Sequence, residues 1–158
     1  MARHSLHILL VDCNKRDAEW LAVLINSRDH DVDKVTSCDE AIKFLYKKGY
    51  NLLFYTVNPK DMDASNFIKL VREIDDSLSV IPVYPYVPEH EVEQDIRQKE
   101  EEIKAKDEGA IAVLRKPLNV VDIEFWMDIC LKLLDFGIKM KKGCIDLLIG
   151  WFSGGKHE

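Results

Sequence analysis

Apolar residues along this chain follow two alternating periods. Residues 7–11, His-Ile-Leu-Leu-Val, form a short, nearly continuous apolar run, as expected of a strand buried on both faces. Asn14 stands three residues before Asp17, a helix-start signal resembling a capping box, and Ala18, Leu21, Ala22 and Ile25 follow at helical spacing. Residues 32–35 read as a short second strand. Ser37 and Glu40 make an S-x-x-E box ahead of Ala41, Ile42 and Leu45, and Gly49 stops that helix. Residues 50–57 are another doubly buried run, and Asn58-Pro59-Lys60-Asp61 is a loop. Phe67, Leu70, Val71 and Ile74 stripe a third helix.

The second half is less regular. Residues 80–87 are strand-like but contain Pro82 and Pro85; Pro82 can begin a strand, whereas Pro85 removes a ladder donor, so a shortened strand is expected. Residues 89–108 are dominated by charge, with Val92, Ile96 and Ile103 almost the only apolar positions. They predict a long, largely solvated helix ended by Gly109. Residues 110–114 predict the last strand. Lys116-Pro117 then leads into a helix with Ile123, Trp126, Met127, Cys130, Leu133 and Leu134 on one face. Five strands alternating with five helices predict an α/β fold with a parallel sheet covered on both faces. Ligands of such sheets sit beyond the carboxyl ends of the strands, here near Asp12, Thr56, Val87 and Lys116.

Composition narrows the function classes. Of 158 residues, 47% are hydrophobic, enough to build a core and too many for a disordered chain. The formal charge of −6 argues against general attraction to nucleic acid or anionic lipid. Cys13, Cys38, Cys130 and Cys144 make no C-x-x-C and have no His at ligand spacing, so neither zinc nor a disulfide framework is expected. Such scattered thiols suit a reducing compartment, and an intracellular, cytoplasmic setting is expected. Arg3 and His4 precede an apolar run too short for a signal peptide, and no stretch is long enough to span a bilayer.

Several strand-end motifs resemble the response-regulator receiver domain of two-component signalling, the CheY-like family. His7-Ile-Leu-Leu-Val-Asp12 resembles its first strand and acidic end, and residues 49–57 its third strand. Asp61-Met-Asp63 resembles the segment after that strand, Ile81-Pro-Val83 the fourth strand, and Gly109-Ala110 with Lys116-Pro117 the fifth strand and its lysine. The resemblance covers about residues 5–135. It implies a flavodoxin-like sheet of order 2-1-3-4-5 and, in the family, phosphoryl transfer from a partner's histidine to an aspartate with Mg²⁺. That reaction needs a carboxylate nucleophile, hard oxygen ligands for the metal, and cations to neutralise the transferring group.

This chain departs from the pattern at four positions. The first strand ends Asp12-Cys13 where the family has two acids, and a thiol is a poor Mg²⁺ ligand. Ungapped counting puts Thr56 at the phosphoacceptor position, and a one-residue shift puts Tyr55 there; neither is a carboxylate. Val87 takes the hydroxyl position and Val113 the aromatic switch position. The resemblance is therefore to a degenerate pseudo-receiver, with Asp12 and Lys116 the only persisting pocket groups. No catalytic residue, cofactor or metal is assigned, and the chain is not expected to be an enzyme.

Asp12 is expected to pair with Lys116 rather than bind metal, Thr56 to be hydrogen-bonded rather than a kinase target, and Cys13 to be a buried, inert thiol. The charged helix is equally a solvated face or a recognition surface. It is longer than its family counterpart by about two turns. The domain is expected over residues 1–135, with a helical extension over 136–158 bearing Ile138, Ile145, Leu148, Ile149 and Phe152. An interaction surface of Val92, Ile96, Ile103, Trp126 and that extension would serve a protein partner or a homodimer, with membrane contact the lesser alternative. Rival readings are a working receiver using Asp61 or Asp63 as acceptor, and a flavodoxin-like small-molecule module. A hydrolase finds no local Ser-His-Asp or Cys-His set.

Overall fold

A computed structural model describes residues 5–137. Its strands are β1 (His7–Val11), β2 (Asp31–Val35), β3 (Leu52–Thr56), β4 (Ser79–Tyr84) and β5 (Leu114–Arg115). Its helices are α1 (Lys15–Ser27), α2 (Cys38–Lys47), α3 (Ala64–Ile74), α4 (Val92–Asp107) and α5 (Val120–Asp135). The strands form one parallel sheet in the order β2-β1-β3-β4-β5, as expected.

The central strands bury both faces because their side chains alternate between two apolar layers. Ile8, Leu10, Leu52, Phe54, Ile81 and Val83 pack with α1 and α5. Leu9, Val11, Leu53, Tyr55, Val80 and Tyr84 pack with α2, α3 and α4. Asn14 caps α1 and Ser37 caps α2, each accepting backbone N–H groups. Glu40 of the expected capping box reaches one residue further back, to the N–H and hydroxyl of Thr36.

The expected bounds of the last and third strands need correction, whereas the fourth is shortened as expected. The last strand is not residues 110–114 but only Leu114–Arg115. Ala110, Ile111 and Ala112 are buried, yet only Ile111 of them donates to β4, at the carbonyl of Val80 (3.0 Å). Burial without a ladder gave these residues the apolar signature of a strand. The fourth strand stops at Tyr84, immediately before Pro85, as the missing donor requires. The third ends at Thr56 rather than at residue 57.

Helix α4 inverts the usual amphipathic arrangement. Its buried residues are Gln98 and Ala105, whereas Val92, Ile96 and Ile103 are 59%, 52% and 61% exposed. At 100° per residue the three exposed apolar positions fall within about 40° of one another, opposite the buried pair. Polar and charged contacts tie this helix to the rest of the fold. Arg115 of β5 donates to Glu102 (2.8 Å) and Asp95 (2.9 Å), and Gln98 donates to the carbonyl of Pro85 (3.3 Å). Its C-terminal end is fixed by Arg72, which donates to the carbonyls of Gly109 (2.7 Å) and Leu78. Gly109 has φ +114°, a backbone that favours glycine, and a Cβ there would lie 3.1 Å from the Arg72 Nε and press on the clamp.

Candidate functional site

Four side chains converge at the carboxyl edge of the sheet. Asp12 follows β1, Thr56 closes β3, Lys116 follows β5, and Asp17 lies in the first turn of α1. The Asp12 side chain is 10% exposed. Its Oδ1 accepts the N–H of Asn14 (2.9 Å), and its Oδ2 accepts both the Thr56 hydroxyl (3.0 Å) and Lys116 Nζ (3.2 Å). Lys116 Nζ also donates to Asp17 Oδ2 at 2.6 Å. Burial alone would draw the Lys116 pKa down. The hydrogen bond that Lys116 donates to Asp17 and the charge of Asp12 outweigh it and hold the lysine above its ordinary value.

Strand alternation separates Thr56 from Tyr55. Thr56 faces the Asp12–Lys116 group, whereas Tyr55 turns to the other layer, its ring tilted against Phe67 (4.7 Å between centroids) and its hydroxyl donating to the carbonyl of Met62. Asp61 and Asp63 are not part of this group. Asp61 accepts the N–H of Cys38 (2.9 Å) and of Met62 (2.8 Å), and Asp63 caps α3 at the N–H of Asn66 (2.8 Å).

The remaining expected positions fall as follows. Val87 is buried beyond the end of β4, and Val113 packs half-buried against the α2–α4 layer. Trp126 is half-buried against the α1–α5 layer, edge-on to Phe125. Ile145, Leu148, Ile149 and Phe152 lie outside the described residues, as does nearly all of the extension over 136–158. The expected pairing of Asp12 with Lys116 is present. The expected burial of Cys13 is not: it is exposed, because Asp12 turns inward onto Asn14 and the next residue points away. Among the described residues Cys38 and Cys130 are the buried thiols, pushed up to about 12 by burial and so kept protonated.

Asp17 is the member that pattern reading missed. Its position three residues after Asn14 marks a helix start, but its carboxylate serves Lys116 instead of returning to the cap. An acid on the first turn after a strand-end acid was the available signal.

The group does not suit Mg²⁺. The inner oxygen of Asp12 is already bonded to a hydroxyl and an ammonium, and its neighbour is an exposed soft thiol. Among the described residues no three His, Cys, Asp or Glu side chains are placed to hold a metal ion. A cleft of about 610 Å³ beside Arg28, Glu124 and Asp128 lies at the amino end of the sheet, away from these residues. None of the described helices is long and apolar enough to cross a membrane.

Strand order, helix layers and the acid–hydroxyl–lysine group at the carboxyl edge define a flavodoxin-like fold of the CheY type. Comparison with solved structures agrees. A two-component response regulator from Clostridium difficile is 21% identical, with a TM-score of 0.70 over 82% of this chain and 98% of that one. A CheY-like receiver domain protein from Methanospirillum hungatei JF-1 is 16% identical, with a TM-score of 0.71 over 85% and 99%. An orphan response regulator of H. pylori is 19% identical, with a TM-score of 0.66 over 82% and 99%. No protein-family model and no curated protein sequence matches the chain.

Proposed function

We propose that this chain is a phosphorylation-independent pseudo-receiver, a signalling module that works by binding another protein and catalyses no reaction. One observation carries the reading: Thr56 stands where an acceptor would, its hydroxyl given to Asp12, while Lys116 is held between Asp12 and Asp17. A phosphoacceptor must be a free carboxylate, and the lysine must be free to meet phosphoryl oxygens. Here the lysine would first have to leave two charge-assisted bonds. The response-regulator neighbours support a signalling role. The reduced, buried Cys38 and Cys130 suit the cytoplasm.

The partner surface on this reading is the outward stripe of α4, Val92, Ile96 and Ile103, continued by β5 and α5. Apolar side chains aligned on a charged helix are what a protein interface core requires. A signalling protein or a second copy of the chain is its occupant.

The test is incubation with acetyl phosphate and Mg²⁺, read by intact mass. We expect no added phosphate. A phosphate-sized gain mapped to Asp61 or Asp63 would overturn the proposal in favour of a working receiver.

A further inference from the structure

The seam between α3 and α4 holds two clefts, of about 370 and 480 Å³, which share one wall made by Asp63, Tyr84 and Glu101. Tyr84 is 1% exposed, and its hydroxyl has no hydrogen-bond partner, the one such buried side-chain atom among the described residues. Leaving a buried hydroxyl unpaired costs stability, so its persistence at a cleft wall needs an explanation.

The surroundings specify what would satisfy it. Burial first, then the charges of Glu101, Glu102 and Asp63, push the phenol up, so it remains neutral O–H. Asp63 is committed to Asn66, and Glu102 to Arg115 and Gln98. Glu101 makes no hydrogen bond or ion pair among the described residues. In the first cleft Asp61, Asp63 and Glu101 face a single Arg97. In the second, Asp107 and Glu108 join the wall against Lys69 and Lys104, and Lys69 already lies 3.9 Å from Glu108. Both clefts therefore carry excess negative charge, which disfavours anions. A metal ion finds no suitable set of ligands here. A donor nitrogen finds two acceptors, the lone pairs of the Tyr84 oxygen and the carboxylate of Glu101.

We propose that this seam binds a small linear organic cation, a primary amine or guanidine, whose N–H groups donate to Tyr84 and Glu101. The inference is independent of whether the Asp12 group accepts phosphate, and its test leaves that group untouched.

The experiment is calorimetric titration of the full chain with putrescine and agmatine, using tetramethylammonium as a cation without N–H donors. The wild type should bind one or both diamines and not tetramethylammonium. Tyr84→Phe and the exposed Glu101→Gln should each weaken binding about tenfold, the effect of one charge-assisted hydrogen bond. Free Tyr84→Phe should melt no lower than wild type, because it removes an unpaired polar atom. Four results would overturn the proposal. These are no binding at millimolar amine, equal binding of tetramethylammonium, unchanged affinity in both variants, or a clear loss of stability in Tyr84→Phe showing that the hydroxyl has a partner within the chain.

Discussion

Lys116 concentrates the energetics of the carboxyl edge in one side chain. Replacing it with Met leaves Asp12, nearly buried, with only hydroxyl and amide partners for its charge. We expect Lys116→Met to cost about 2 kcal/mol in urea unfolding. Adding Asp12→Asn should recover part of that loss, since the stranded charge disappears; strictly additive costs would mean the two groups are not coupled. Much of this group was legible from residue order. Asp12 and Lys116 were placed at strand ends by apolar runs, and Thr56 by counting. Asp17 was hidden because a helix-start acid and an ion-pair acid look alike in one dimension. A thiol beside an apolar run suggests burial, but the turn of the chain after Val11 leaves Cys13 exposed.

At the scale of elements, α4 is the least conventional part. Its inward face offers only Gln98 and Ala105, so Arg115 with Asp95 and Glu102 substitutes for apolar packing. Arg115→Met should raise hydrogen exchange across residues 92–107 while leaving β1 and β3 protected. About 1 M salt should weaken α4 in the wild type in the same way, because these pairs are partly exposed. Unaltered exchange in α4 would show that charge does not hold it. The helix itself was readable from its charge run and Gly109, but its orientation was not. Apolar residues are normally assigned inward, and here that rule points the wrong way. Residues 110–112 illustrate the converse, since burial alone does not make a strand without ladder bonds.

For the molecule as a whole, acid should be the damaging direction. The hydrogen bonds from Lys48 first, and then from the Tyr50 hydroxyl, hold Asp33 below its ordinary value of 3.8. A carboxylate depressed by folding adds stability above its unfolded pKa and loses it as pH falls through the folded one. Unfolding midpoints should therefore drop from about pH 5 toward pH 2, and less steeply in Asp33→Asn. Equal slopes would remove Asp33 from the account. The sheet covered by helices on both faces was readable because strands buried on both sides leave unbroken apolar runs. The brevity of β5 was not, and it carries a consequence for how this protein can associate. One margin of the sheet ends in a two-residue strand, and the other, β2, reads Asp-Val-Asp-Lys-Val. Neither presents the long, uncharged row of free amides and carbonyls that templates backbone pairing between molecules. Among the described residues, then, neither margin of the sheet favours fibre-like stacking through its backbone.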